Sequence, residues 1–277
     1  VLEHGLDCVA SRDFALELVS AASQLALLLS RFARDMHTAV SHEFSAVRFP
    51  DSVCGTSSIM PQKKNPVVLE HLLGKASHVV ASFVSIASCT RGGYFTNTLD
   101  VHREGLSMVW GGLAEATSAL ALAAIAARTA EPEAALLLER ARRNYSTATE
   151  LADTLVRDAA MDFRTAHHVA GGVVRMLMDQ NLGADEATPA MVDAAAQEVA
   201  GRPAGLSAAQ LAQALDPTKA VAARTLPGGT APSEVRRMVK AMGEVLGSDE
   251  ARLAAWRAQL AAAAASRHRA VEALAAA

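Results

Sequence analysis

The stretch from Arg12 to His42 reads RDFALELVSAASQLALLLSRFARDMHTAVSH. Its apolar residues fall at Phe14, Leu18, Ala22, Leu25, Leu29, Phe32, Met36 and Val40, in steps of four and three. That spacing predicts a long helix with a coiled-coil-like seam. Ala26, Leu27, Leu28 and Ala33 lie beside the seam. A helix apolar on more than one face is buried on more than one side, and in a chain of this size other subunits supply the extra cover. The pattern recurs at Leu69, Leu73, Ala76, Val80 and Phe83, between Pro66 and about Ser88, and at Leu106, Val109, Leu113, Ala116, Leu120, Ala124 and Ala127, between about Glu104 and Thr129. Helices of this length span about 40 Å and suit a bundle. Composition agrees: 51% of the 277 residues are hydrophobic but only 4% aromatic, and alanine and leucine make up the difference. Both lose little on entering a helix. The alternation that strands need is almost absent. The chain reads as all-α.

The same numbers exclude several classes. The apolar content excludes general disorder. The net charge of −3 offers no basic field to nucleic acid. The longest nearly uncharged run, near Ala116–Ala127, reads as too short to span a bilayer. Val1–Gly5 has no basic cluster or apolar run and is no secretory leader; without an initiator Met, the sequence reads as beginning inside a longer chain. Three widely spaced cysteines, Cys8, Cys54 and Cys89, fit free thiols in a reducing cytoplasm.

Punctuation divides the chain near residue 130. Residues 1–130 carry the long helices. Residues 131–277 read as a smaller helical domain of shorter elements, with a capping box at Thr147–Glu150, Asp162 heading a helix over Phe163–Gln180, breaks at Thr188-Pro189, Pro203 and Asp216-Pro217, and a turn at Leu226–Pro232. A last helix is predicted from about Ser248. Two breaks interrupt the long helices. Glu43–Asn65 is long for a loop in a compact domain, and loops of that length are usually functional. Thr90–Asp100 carries Gly92-Gly93-Tyr94.

The first break holds the chemistry: Gly55-Thr-Ser-Ser-Ile-Met-Pro-Gln-Lys-Lys-Asn-Pro66. Asn65 and Pro66 read as a helix N-cap and first helical residue. Lys63, Lys64, the Asn65 amide and free backbone N–H groups at the helix start then form a site for a carboxylate or phosphate. Positive potential favours ionisation of a nearby hydroxyl, so Ser57 or Ser58 could serve as a base. An ordinary surface loop with a lysine pair accounts for the spacing equally well.

The segment resembles the signature loop of the fumarase/aspartase superfamily, and its Gln-Lys-Lys-Asn portion resembles that of argininosuccinate lyases. Ala10–Glu17, Ala148–Arg157, Phe163–His168 and Gly228–Pro232 resemble the flanking parts of that family. The resemblance covers nearly the whole chain, from midway along the family's length to its end, and leaves the family's N-terminal domain without a counterpart. It implies a long-helix bundle shared in a homotetramer, a smaller C-terminal helical domain, and a cytoplasmic carbon–nitrogen lyase of the kind used in arginine biosynthesis. Such a lyase releases fumarate from a succinyl-amine by β-elimination, with no metal or organic cofactor. Ser57 matches the family's base. Lys63 and Asn65 match carboxylate binders, Ser58 and Gln62 share the substrate loop, and Glu70 matches a glutamate that orients a histidine of another subunit. The doubly negative aci-carboxylate requires such preorganised cationic partners. The resemblance further implies that the chain alone is inactive, with the missing portion carried upstream or by a separate N-terminal half.

Two departures matter. Thr56 stands where the family has glycine, so Gly55 is expected to supply the flexibility. Phe95, Asp100 and Arg103 align with a tyrosine, a glutamine and a lysine that touch substrate in argininosuccinate lyases. These exchanges point to a different N-succinyl substrate. The alternative from another class is a non-catalytic, crystallin-like structural protein on the same scaffold; retention of Ser57, Lys63 and Asn65 argues against it. His102 reads equally as a cleft residue or a solvated one. Arg12 and Asp13 join the site by resemblance or cap their helix. His71, His78, His167 and His168 read as packing or surface residues, and no zinc or phosphate-loop spacing is present. No membrane or nucleic-acid partner is expected.

Overall fold

The computed structural model describes residues 3–276. Val1 and Leu2, which belong to the segment read as carrying no leader, lie outside the described residues. The chain is all-α apart from one short ladder and divides into two units, Val1–Leu137 and Leu138–Ala277.

In the first unit a short α1 (Gly5–Ala10) precedes three long helices, α2 (Asp13–Val40), α3 (Val67–Arg91) and α4 (Leu106–Thr129). Three buried layers set their directions. Ala15 and Val19 meet Ile86 and Val109; Ala26 meets Ala76, Val79 and Ala116; Ala33 meets Leu69, Leu72, Ala119 and Ala126. Numbers rise along α2, fall along α3 and rise along α4, so the helices run up, down and up. The buried stripe of α2 is Ala15, Val19, Ser23, Ala26 and Ala33. It is offset from the predicted Phe14–Leu18–Ala22–Leu25 seam, because small residues let helices of one chain approach closely. Gly112 shows how closely: a Cβ there would lie 2.4 Å from Ser82 Oγ. At its N-terminal end the predicted seam turns outward, with Phe14 59% and Leu18 45% exposed, whereas farther along Leu29, Phe32, Met36 and Val40 pack against the core.

These helices correct one sequence expectation. Asp13–Val40, Val67–Arg91 and Asp100–Thr129 are each long and apolar enough to cross a membrane, with mean hydropathy of 1.3, 1.4 and 1.5 in their apolar stretches. The reading of Ala116–Ala127 as the longest candidate counted only uncharged residues. Isolated charges such as Glu17, Lys75 and Glu115 do not offset the alanine and leucine around them.

The connection from α2 to α3 is structured. β1 (Val47–Arg48) pairs antiparallel with β2 (Glu131–Pro132), beyond α4. A single 3₁₀ turn covers Asp51–Val53, and an isolated bridge joins Gly55 to Asn65. α5 (Ala134–Arg143) follows β2.

The second unit holds α6 (Ala148–Asp158), α7 (Phe163–Asp179), α8 (Pro189–Ala200), α9 (Ala208–Ala214), α10 (Pro217–Ala222) and α11 (Pro232–Ala275). Its core gathers Leu151 and Leu155, Val169, Val173 and Leu177, Val192 and Leu211. Asp162, Thr188 and Asp216 each cap a helix by accepting backbone N–H bonds. The capping box expected at Thr147–Glu150 does not form: Thr147 makes no capping bond, and Glu150 turns into the unit to meet Arg157 at 2.6 Å and Arg224 at 2.9 Å. α11 begins at Pro232, well before Ser248, because Gly243 and Gly247 are carried inside it at about 1 kcal/mol each.

Candidate active site

The Gly55–Asn65 bridge closes the serine loop at its base. Gly55 N–H donates to Asn65 O at 2.7 Å, and Asn65 N–H donates to Gly55 O at 3.0 Å. Residues 56–64 form the excursion between them. Gly55 serves packing rather than flexibility: neither it nor Thr56 has positive φ, and a Cβ on Gly55 would lie 2.5 Å from Val67 Cγ1. Gly55→Ala is therefore expected to open the bridge and lower the urea midpoint of unfolding, by about 1–3 kcal/mol of overpacking. Combining it with Val67→Ala should recover part of that loss. A Gly55→Ala protein as stable as the parent would refute the packing role.

Ser57 is half-buried, and its Oγ accepts the N–H groups of Ile59 at 3.3 Å and Met60 at 3.2 Å. Those bonds fix the oxygen and leave its proton free to move. Ser58, Gln62 and Lys63 are exposed. The lysine pair divides its duties. Lys64 is tethered to Asp51, whose hydrogen bond and charge hold the ammonium pKa above its ordinary value. Lys63 makes no ion pair among the described residues and remains available to an anion. Cys54, just before the bridge, has its thiol pushed up in pKa by burial and by Asp51.

The helix start differs from the sequence expectation. Pro66, not Asn65, is the N-cap, and no side chain caps α3. Val67 N–H donates to Asn65 O at 2.8 Å and Leu69 N–H to Pro66 O at 2.9 Å. Two of the donors expected to hold an anion, the Val67 and Leu69 N–H groups, are thus spent inside the turn. Glu70 stands exposed in the first turn of α3.

The second region lies at the other end of α3. Phe95 is exposed, and a π-helical turn over Asp100–Gly105 leads into α4. The Thr98 hydroxyl, then the Val101 N–H at 3.0 Å, hold the Asp100 carboxyl below its usual pKa. Arg103 is exposed. His102 is half-buried: its Nδ1 meets the Arg12 guanidinium, while Nε2 is buried without a hydrogen-bond partner among the described residues. Nothing in the residues around Arg12 signals that it reaches a side chain ninety positions away. At 1.5 Å per residue, the 25 residues of α3 put about 37 Å between its ends. One chain therefore brings Ser57, Lys63, Asn65 and Glu70 to one end of the bundle and Asp100, His102 and Arg103 to the other. The cavity beside the loop, about 340 Å³, is lined by Phe49, Cys54, Lys64, Pro66 and Glu133, but not by Ser57 or Lys63. Among the described residues, no group of His, Cys, Asp or Glu is arranged to hold a metal ion. His167 and His168 are exposed on α7, with ring centroids 5.8 Å apart.

Comparison with known proteins places the chain among lyases. A lyase family matches residues 2–81, and the argininosuccinate lyase C-terminal family matches residues 145–222. Argininosuccinate lyase 1 of Shouchella clausii is 38% identical over 91% of this chain and 51% of its own length. The argininosuccinate lyase of Methanothrix thermoacetophila is 34% identical over 94% of this chain and 52% of its own. The chain belongs to the fumarase/aspartase superfamily. Within it, the chain is argininosuccinate lyase-like and spans about half the length of the curated relatives it matches. Among solved structures, an EDDS lyase variant with bound fumarate superposes with a TM-score of 0.81 at 30% identity, covering 92% of this chain and 50% of that one. The superfamily assignment accounts for the all-α bundle.

Proposed function

We propose that this chain is part of a carbon–nitrogen lyase that cleaves an N-succinyl amine by β-elimination, releasing fumarate and an amine. The observation that carries the reading is the bridged loop, which holds Ser57 Oγ by two backbone N–H bonds and carries, on the same excursion, Lys63 with no ion pair among the described residues. Ionised Ser57 takes the proton from the carbon next to a carboxylate. Negative charge builds on that carboxylate, where Lys63 and the Asn65 amide stabilise it, assisted by Ser58 and Gln62. The C–N bond then breaks, the C=C bond of fumarate forms, and the amine leaves with a proton from an imidazole of another subunit that Glu70 orients. No cofactor takes part in these steps.

The site is completed between copies, because Asp100 and Arg103 lie at the far end of α3 from the serine loop within one chain, and that helix is about 37 Å long. A homotetramer in which long apolar helices cover one another's outward faces fits Phe14 and Leu18, and it gives the three long helices a protein neighbour rather than lipid. We place the enzyme in the cytoplasm, where Cys8, Cys54 and Cys89 stay reduced. Phe95, Asp100 and Arg103 favour a substrate other than argininosuccinate. Arg103 suits a carboxylate on the amine portion, whereas the Asp100 carboxylate suits a protonated amine.

The complete polypeptide, assayed by the ultraviolet absorbance of fumarate, should release it faster from N-succinyl amino acids or diamines than from argininosuccinate. Argininosuccinate cleavage at the higher rate would overturn the substrate assignment. No fumarate from any member of the panel would overturn the lyase reading.

A further inference from the structure

α11 is 44 residues long, about 66 Å, and none of its residues is buried. Its apolar side chains are ordered. Val239, Leu246, Leu253, Leu260 and Leu274 recur at seven-residue steps, with Arg267 in the one remaining place. Three residues after each of the first four and after Arg267 come Met242, Asp249, Trp256, Ala263 and Ala270. Steps of three and four sustained over this length are the seam of a two-stranded coiled coil. The seam is open: Leu246 is 60%, Trp256 55% and Leu260 72% exposed. An exposed apolar stripe of this extent marks an interaction surface.

The two charged residues on the seam choose the partner. In a parallel pair each position faces its own copy, so Asp249 would meet Asp249 and Arg267 would meet Arg267, like charges in a desolvated seam. In an antiparallel pair the two series of the heptad face each other, because reversing a helix exchanges them. One such register sets Asp249 opposite Arg267 of the second copy. The same register sets Leu246 opposite Ala270, Leu253 opposite Ala263, Met242 opposite Leu274 and Trp256 opposite Leu260. Thus large residues face small ones beside the charged layers, and the bulky Trp–Leu layers flank the two-fold axis. Of the charged residues along the edges of the seam, only Arg257 comes near its own copy. Asp249 also bonds Arg252 of its own helix at 3.0 Å, and Arg252 lies over the Trp256 ring, so the carboxylate keeps a second donor as the seam closes. We propose that α11 forms an antiparallel two-stranded coiled coil with α11 of a second copy of this chain, registered by Asp249–Arg267 pairs. A charged layer within an apolar seam adds little stability but fixes register and direction.

Disulfide trapping in the complete protein tests this. Chains carrying Leu253→Cys are mixed with chains carrying Ala263→Cys, oxidised gently and mapped by mass spectrometry, with helicity checked by circular dichroism. The expected product is an inter-chain bridge joining position 253 of one chain to position 263 of the other, with neither like-with-like bridge at comparable yield. Asp249→Arg or Arg267→Asp alone should cut that yield by at least about tenfold, and the two together should restore it. Absence of the mixed bridge, dominance of a like-with-like bridge, or failure of the double reversal to restore it would each overturn the proposal.

Discussion

Ser57→Ala lowers kcat for fumarate release by about three orders of magnitude and leaves KM within a few-fold, the signature of losing a group that acts in the transition state. The loop should survive the change. Its base is closed by the Gly55–Asn65 backbone bonds, which do not involve the serine side chain. The two N–H groups that Ser57 Oγ accepts belong to exposed Ile59 and Met60, so water can replace the hydroxyl. Ser58 makes no such bond and is exposed, so Ser58→Ala should cost only a few-fold. The lysines separate in the same way. Lys63→Ala removes the unpaired cation and should reduce kcat/KM strongly. Lys64→Ala releases an exposed tether to Asp51 and should have a small effect, since solvent screens exposed ion pairs. Steady-state kinetics of the four variants decides the assignment. A Ser57→Ala enzyme with the parent kcat, or a Ser58→Ala enzyme that loses as much, removes Ser57 as the base.

Much of the fold is legible in the local pattern. Four–three periodicity finds the three long helices of the first unit to within a few residues, and Asp162, Thr188 and Asp216 mark helix starts by their own side chains. What the pattern cannot choose is the face. On α2 the stripe through Phe14 and Leu18 and the stripe through Ala15 and Val19 share one period. Leucine content favours the first, but close approach to α3 and α4 selects the second. The loop's chemistry is visible because motif and spacing carry it. The division of labour between Lys63 and Lys64 is not, because it depends on where the Asp51 turn folds back. Long-range pairs are hidden for the same reason. Arg12 meets His102, and Thr147-x-x-Glu150 reads as a capping box until Arg224, far along the chain, takes the glutamate.

That glutamate gives the largest expected effect on stability. Arg224→Met should destabilise the second unit by about 3 kcal/mol, the low end for breaking a buried ion pair. The Glu150 side chain is only 6% exposed and holds two arginines, Arg157 at 2.6 Å and Arg224 at 2.9 Å. Arg224 also bonds Asp153 at 2.5 Å. Those two carboxylates, the Asp153 bond first, hold the guanidinium pKa above its ordinary value, so Arg224 is charged throughout the accessible range. Removing it strands a buried carboxylate beside one remaining, more exposed partner. The cost lies in the stranded charge rather than in a lost contact, and a second substitution separates the two. If the charge is responsible, Glu150→Met in the Arg224→Met background should regain stability, because an apolar pair of similar volume has nothing left to solvate. If lost packing were responsible, the second substitution would add to the first. Urea unfolding followed by circular dichroism measures both. An Arg224→Met midpoint equal to the parent's would show that Arg157 alone satisfies Glu150.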